Sequence, residues 1–167
     1  MAESTIVKVR RDGTVTFKDG TGSPKTYEVA YEEGNVSFSR DKADRIVIRD
    51  RGVIVGSRKG DDPVITITFD IHFRSLTTTA STDLTAIDVM DNTGNVATIP
   101  WATVSSAHEE WCLHLLFTIE NTDHGGGADY VATFSTCIFT WAFKEGDPNT
   151  ISVTAECMGG YTATGPT

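Results

Sequence analysis

The clearest pattern in the chain is a strict alternation of apolar and polar residues from Val64 to Arg74. The apolar positions, which we expect to face the core, are Ile65, Ile67, Phe69, Ile71 and Phe73. The polar positions on the opposite face are Thr66, Thr68, Asp70 and His72. A period of two is typical of a half-buried antiparallel strand, and a slip of one residue in the strand pairing would expose every apolar side chain to water. We therefore predict a firmly registered strand whose polar face points away from the core.

Similar patterns recur later in the chain and predict a mainly β protein. Residues 111–119 and 150–157 alternate, and residues 130–143 form a long aromatic run that is rich in threonine. Turn-forming residues separate these runs, and neither a composition break nor a fixed repeat divides the chain. We expect one antiparallel β-sandwich or partial barrel over residues 1–167, with a short flexible tail from about residue 159 to residue 167.

A short helix is predicted over Ser81–Asp91. Its candidate N-caps are Ser81, Thr82 and Asp83, and its apolar stripe would be Leu84, Ile87 and Met90. Asn92-Thr93-Gly94 follows as a stop signal. So short a helix needs packing against the sheet to persist.

The segment Arg40–Asp62 is densely charged, with short β-prone runs at Ile46–Ile48 and Val53–Val55. A small domain rarely carries so long a charged connection without a function for it. Two interpretations stay open at this point: an exposed hairpin with solvated flanks, or an arm that reaches a neighbouring subunit. In the second interpretation the contact residues are Arg45, Arg49, Asp50, Arg51, Arg58, Lys59, Asp61 and Asp62.

Charge and cysteine content narrow the possible functions. The formal net charge of −9 speaks against a broad nucleic-acid-binding surface, which needs clustered Lys and Arg. Cys112, Cys137 and Cys157 each lie in an apolar or β-patterned run, which indicates small buried thiols and not a disulfide framework. The N terminus has neither the basic nor the apolar region of a secretory signal, so we expect synthesis in a reducing cytoplasm.

No motif indicates catalysis, a metal or a cofactor. Glu110, Cys112 and His114 would share one face of a strand, but an internal or interface face explains them better than a zinc site. Asp61-Asp62 could begin a calcium loop, yet an apolar strand follows where further oxygen ligands should be. We expect a protein that is not an enzyme and that holds no cofactor or metal.

The order of these elements resembles the major tail tube proteins of long-tailed bacteriophages. The segments that carry the resemblance are Glu33–Phe38 before the charged arm, Arg58–Pro63 before the long strand, the helix near Asp83–Asp91, and Lys144–Asn149 before Thr150–Val153. It covers most of the chain and rests on element order and turn placement.

The resemblance implies a β-sandwich or partial barrel, close to the tube protein of type VI secretion systems. Such subunits form hexameric rings that stack into a hollow tube. The arm would contact the next ring, and the polar face of Val64–Arg74 would meet the lumen, solvent or a neighbouring subunit. The implied partners are other copies of the chain, with tape measure, tail terminator and tail tip proteins. DNA would pass only in transit, and the chain would bind no membrane. The implied location is the virion tail, after synthesis in the host bacterial cytoplasm.

Two other functions are compatible with the patterns. A β-sandwich that binds carbohydrate or another ligand could stack Trp101, Trp111 or Trp141 on sugar rings, although Trp111 and Trp141 lie in strand patterns where core packing is the usual role. A different virion part, such as a head decoration or tail terminator protein, is the other alternative. A terminator should stop at one ring and not extend into a tube.

Overall fold

The computed structural model describes residues 13–29, 35–73, 84–94, 96, 99, 101–120 and 127–165. Within these ranges the chain forms ten β-strands and the short helix α1. In chain order they are β1 (Gly13–Lys18), β2 (Thr26–Glu28), β3 (Ser37–Ser39), β4 (Arg45–Asp50), β5 (Val53–Lys59), β6 (Ile65–His72), α1 (Ala86–Asp91), β7 (Leu113–Ile119), β8 (Tyr130–Lys144), β9 (Thr150–Cys157) and β10 (Tyr161–Thr164).

The main sheet is antiparallel, with the strand order β2-β1-β7-β8-β9-β6-β3 and with β10 also paired to β8. Among the strands that the structure describes, β4 and β5 pair only with each other and form a separate hairpin. The prediction of a mainly β, antiparallel fold with one short flanking helix is confirmed, and over the described residues the sheet is not closed into a barrel.

Strand β8 bends where Thr136 adopts a left-handed backbone with φ of 56°. The pairing with β7 shifts at the same place, from Leu115 opposite Phe134 to Leu113 opposite Cys137. An extra residue in one strand of an antiparallel pair kinks that strand. The core-facing side chains therefore change from even-numbered residues before the bend to odd-numbered residues after it.

The expectation of a flexible tail from about residue 159 is wrong over the described residues 159–165. Strand β10 pairs with the first half of β8, in line with β9, which pairs with the second half. Gly159 permits this continuation, because a Cβ there would lie 2.7 Å from Thr136 Oγ1 and 2.9 Å from the Ser135 carbonyl oxygen. Gly160, with φ of 88°, completes the kink that follows the bend of β8.

The core lies between the two halves of the curved sheet. Ile65, Ile67, Phe69 and Ile71 of β6 are buried, and Phe73 packs against them while remaining half-buried. The Phe17 ring of β1 reaches across to Phe139, at 5.0 Å between centroids, and to Phe69, at 6.5 Å. Burial of one large apolar side chain stabilises the fold by about 1.5–3 kcal/mol, so this alternation determines which face of β6 is internal.

Helix α1 begins later than the sequence pattern predicts. Its N-cap is Thr85, which forms a reciprocal capping box with Asp88, while residues 81–83 lie outside the described residues. Leu84 therefore precedes the helix, and the buried helical residues are Val89 and Met90. The predicted stop is present, since Asn92 caps the C terminus in a left-handed conformation.

The expectation of three buried thiols is wrong for two of the cysteines. Cys137 of β8 and Cys157 of β9 are directly opposite in register, with Cα atoms 4.0 Å apart, and they form a disulfide. Cys112 is a buried free thiol. The bend of β8 explains the pairing, because it places Cys137 on the same face of the sheet as Cys157.

Candidate assembly surface

The hairpin β4–β5, residues Arg45–Lys59, lies within the segment predicted to be an arm. A two-residue turn joins its strands, and both turn residues are left-handed, with φ of 49° at Arg51 and 85° at Gly52. This turn type matches the natural twist of paired strands. At the base, the Gly60 amide donates to the Asp44 carbonyl, so the ends of the hairpin meet.

Apolar side chains are exposed on both faces of the hairpin. Six of them are between 40% and 65% exposed: Ile46, Val47, Ile48, Val53, Ile54 and Val55. Val47 lies opposite Ser57 on one face, whereas Ile48 lies opposite Gly56 on the other. A two-stranded hairpin is only marginally stable alone in water, and contiguous exposed apolar residues mark contact surfaces. The hairpin therefore has the properties of a surface that another protein covers.

The charged residues predicted for the arm surround this apolar centre. Arg45, Arg49 and Asp50 lie on β4, Arg51 lies in the turn, and Arg58 and Lys59 lie on β5. Asp61 and Asp62 follow β5, and Lys59 forms an ion pair with Asp62. All eight are exposed and belong to the hairpin or to the segment after it.

The polar face of β6 continues across its neighbours as a surface of small polar residues. Thr68 is aligned with Ser37, Thr154 and Thr140, and Thr66 is aligned with Ser39, Glu156 and Ile138. His72 is aligned with Thr150 and Lys144 at the other end of β6. The face also carries Asp70, Glu156 and Lys144 among its Thr and Ser residues. The predicted residues Thr66, Thr68, Asp70 and His72 all lie on this side of the strand.

Asp70 also has a local partner. The Asn35 side-chain amide donates to the Asp70 carboxylate at 2.7 Å, and the Asp70 backbone N–H donates to Asn35 Oδ1 at 3.1 Å. This pair of hydrogen bonds holds the chain before β3 against β6. Asp70 therefore contributes to the fold at the edge of the sheet as well as to the polar face.

Asp19 is a buried carboxylate that sequence patterns did not single out. Its Oδ1 accepts hydrogen bonds from the Lys25 N–H at 2.7 Å and from the Thr21 hydroxyl at 2.9 Å, and its Oδ2 accepts from the Ala102 N–H at 3.3 Å. Burial alone would raise the pKa of Asp19, but these hydrogen bonds outweigh it and lower the pKa below 3.8. The contacts join the loop after β1 to the segment before β7.

The tryptophans support the helix and the core. Trp111 Nε1 donates to the Val89 carbonyl at 3.0 Å, and Trp141 Nε1 donates to the Asp91 carboxylate at 3.0 Å. Both rings, like that of Trp101, are partly buried and pack against the core. These contacts occupy the indole N–H groups of Trp111 and Trp141 within the subunit.

The described residues contain no group of three or more His, Cys, Asp or Glu side chains placed to hold a metal ion. Cys112 is buried beside Thr103, with 3.1 Å between Sγ and the threonine Oγ1. Burial, together with the nearby Lys18, lowers the pKa of His114. Over the same parts of the chain, no helix has both the length and the apolar character needed to cross a membrane.

Comparisons with known proteins find the fold in parts of contractile injection systems. A structure described as the sheath/tube terminator of an extracellular contractile injection system, PVC, in its extended state matches with a TM-score of 0.58 and 15% identity, over 99% of this chain and 100% of that chain. A PVC sheath-tube complex in the extended state matches with a TM-score of 0.58 and 14% identity, over 98% and 99%. The anti-feeding prophage baseplate matches with a TM-score of 0.52 and 10% identity, over 98% of each chain.

No family model matches the sequence, and no curated protein matches it either. The structural likeness therefore concerns the fold, which extends over almost the whole length of each chain compared. The β architecture described above is therefore shared with parts of contractile injection systems.

Proposed function

We propose that this chain is a structural subunit of a phage tail or tail-like particle, and that copies of it assemble into stacked, hexameric rings forming a tube. The observation that carries the proposal is the hairpin Arg45–Lys59, whose six large apolar side chains are exposed on both faces. A sheet face of the same subunit can cover one side of a hairpin at most, so full coverage needs other subunits.

The fold and the polar face support the same function. Structures described as a sheath-tube complex and a sheath/tube terminator share the architecture over nearly the whole chain. The Thr- and Ser-rich face of β6, β8 and β9 carries the carboxylates Asp70 and Glu156 and a single cation, Lys144. A face without clustered Lys and Arg suits a wall past which nucleic acid moves without binding. Tape measure, terminator and tail tip proteins would be the partners at the ends of such a tube.

Negative-stain electron microscopy of the purified full chain tests the proposal. We expect rings and tubes to form as the protein concentration rises. Monomers alone at high concentration, under every salt and pH condition tried, would contradict it.

A deletion of Arg45–Lys59 that joins Asp44 to Gly60 tests the role of the hairpin. Because Gly60 N–H already bonds to the Asp44 carbonyl, the joined ends meet without strain on the main sheet. We expect circular dichroism and the unfolding midpoint to stay close to those of the intact chain, while stacking is lost. Loss of the fold itself would contradict the assignment of the hairpin as an arm.

A tail terminator is a second candidate, because one of the matched structures is described as a sheath/tube terminator. The two candidates differ in the product of assembly. A tube subunit adds ring upon ring, so tube length grows with protein concentration, whereas a terminator forms one ring and then stops. The length distribution in micrographs distinguishes them.

A further inference from the structure

The hairpin differs in charge from the rest of the molecule. Arg45–Lys59 contains five cations and one acid and has a net charge of +4, although the whole chain has a net charge of −9. The remaining residues therefore have a net charge of −13. An exposed, basic and apolar hairpin complements an acidic partner, and the rest of a second copy of this chain is such a partner.

Two hairpins do not complement each other. A symmetric contact that pairs the hairpins of two copies would bring like charges together, which is unfavourable. A head-to-tail contact, in which the hairpin of one copy meets a different surface of the next, avoids that repulsion. Head-to-tail contacts repeat and form rings or filaments.

The end of the sheet opposite the hairpin offers such a surface. The hairpin precedes the first residue of β6, whereas the Phe73 N–H, just after β6, donates to the Asn149 carbonyl at 2.9 Å. The eight residues of β6 separate these two ends by about 23 Å. We call Phe143 and the turn Lys144–Asn149 the distal turn.

The distal turn combines an exposed aromatic ring with carboxylates. Phe143 is 47% exposed, and its ring is stacked edge-on to Phe73 at 5.8 Å, which holds it in place. Glu145 and Asp147 are exposed beside it, and Lys144 is the cation of the turn. This arrangement offers apolar area together with negative charge, which is the complement of the hairpin.

We propose that the hairpin Arg45–Lys59 of one copy docks head-to-tail on the distal turn of a second copy. The inference rests on the proposed function and adds to it the receiving surface and the direction of stacking. Apolar contact with Phe143 would supply affinity, and the charges would select this pairing over a hairpin-to-hairpin contact.

Two charge-reversed full-length variants test this docking. The hairpin variant carries Arg45→Glu, Arg49→Glu and Arg58→Glu, which changes the net charge of the hairpin from +4 to −2, and the distal variant carries Glu145→Lys and Asp147→Lys. Neither should associate with itself, because both surfaces of the hairpin variant are then acidic and both surfaces of the distal variant are basic. When the two variants are mixed, each surface meets a surface of opposite charge on the other variant. We therefore expect association to be restored, with the two variants in alternating order.

Sedimentation velocity measures association directly, and electron microscopy shows its product. We expect the concentration needed for assembly to rise on the order of tenfold or more for each variant alone, and to fall back towards the wild-type value in the equimolar mixture. Glu109→Lys with Glu110→Lys is the matched control, because it makes the same change in net charge at two exposed carboxylates that belong to neither the hairpin nor the distal turn. This control should assemble like wild type.

The outcomes separate the two proposals. Two results would overturn the docking and leave the tube function standing, if the wild-type chain forms tubes. One is that both variants assemble as well as wild type does. The other is that folded variants are not rescued by mixing. Rescue on mixing in sedimentation, without rings or tubes from any form of the chain, would support the docking and overturn the tube function.

Discussion

Strands β5 and β6 are separated only by residues 60–64, yet they meet opposite environments. Every second side chain of β6 is buried, whereas every residue of β5 except Gly56 is exposed. The two strands differ in the order of their residues more than in their composition. Strand β6 alternates apolar with polar groups, so one face can be covered by its own sheet, while the consecutive residues Val53–Val55 put apolar groups on both faces. A strand of the second kind needs protein on two sides.

Matched truncations of one isoleucine in each region should give the largest contrast. Ile67 in β6 is completely buried and Ile54 in β5 is 60% exposed. We expect Ile67→Ala to lower the free energy of unfolding by about 2–5 kcal/mol, because it leaves a cavity. Ile54→Ala should change it by no more than about 0.5 kcal/mol and should instead weaken assembly. Chemical denaturation and sedimentation measure the two effects, and equal losses of stability would refute the distinction.

Reduction of the disulfide should produce the next largest effect, again in the body of the protein and not in the hairpin. Cys137 and Cys157 join β8 to β9 with a sequence separation of 20 residues. We expect the Cys137→Ser/Cys157→Ser variant to lose about 3 kcal/mol of stability, since the crosslink restricts the unfolded chain. Non-reducing mass analysis should find one disulfide and one free thiol, Cys112. Three free thiols in the folded, air-exposed protein would contradict the pairing.

Short-range features of this fold were predictable and long-range ones were not. The faces of β6 and the two β-prone runs of the hairpin follow from the order of neighbouring residues. The start of α1 was misplaced, because several residues before Thr85 are equally good caps and only the reciprocal bonds with Asp88 distinguish them. The candidate assembly surface was therefore predictable as a segment, while its exposure on both faces required the structure.

The bend of β8 shows why the remainder could not be predicted. Its residues Ser135 and Thr136 contain no glycine to indicate a left-handed backbone, and the signal lies instead at Gly159-Gly160, more than twenty residues later. That bend brings Cys137 to the face of Cys157 and gives β10 its position beside β8. Two wrong expectations, the free thiols and the flexible tail, thus have one physical origin.

Asp19 offers a smaller test of how the body is held together. Asp19→Asn keeps an acceptor at Oδ1 but places an amide N–H₂ against the Ala102 N–H, so we expect a loss of about 1–3 kcal/mol at neutral pH. The folded-state pKa of Asp19 lies below its ordinary value of 3.8, so the stabilisation by the carboxylate is present above about pH 4 and is lost as the pH falls through the folded-state pKa. Urea titrations of both proteins at neutral and acidic pH should show the difference shrinking with acid. A difference that grows in acid would refute the assignment.

The tyrosine pair at the start of β8 should give the smallest effect and the opposite pH dependence. The hydroxyl groups of Tyr130 and Tyr161 are 2.6 Å apart, and this hydrogen bond, with burial and the negative charge that Tyr130 can acquire, raises the pKa of Tyr161 to about 12. Because the folded-state pKa exceeds the ordinary value of 10, the stabilisation is complete below pH 10 and is lost as the pH rises from 10 towards 12. We expect Tyr161→Phe to lose about 1 kcal/mol at neutral pH and to remove the late step from the phenolate absorbance titration.

Tyr130→Phe supplies the reciprocal change, and Tyr27→Phe in β2 supplies the control. Without its partner, Tyr161 should titrate nearer to pH 10, whereas Tyr27→Phe should leave the late step in place. Since the pair joins β8 to β10, its loss should loosen the residues expected from sequence to be a free tail while leaving hairpin-driven assembly at neutral pH unchanged. Impaired assembly of Tyr161→Phe, with the hairpin intact, would mean that β10 itself contributes to the contact between subunits. In that case the body of the protein, and not the hairpin alone, would supply part of the assembly surface.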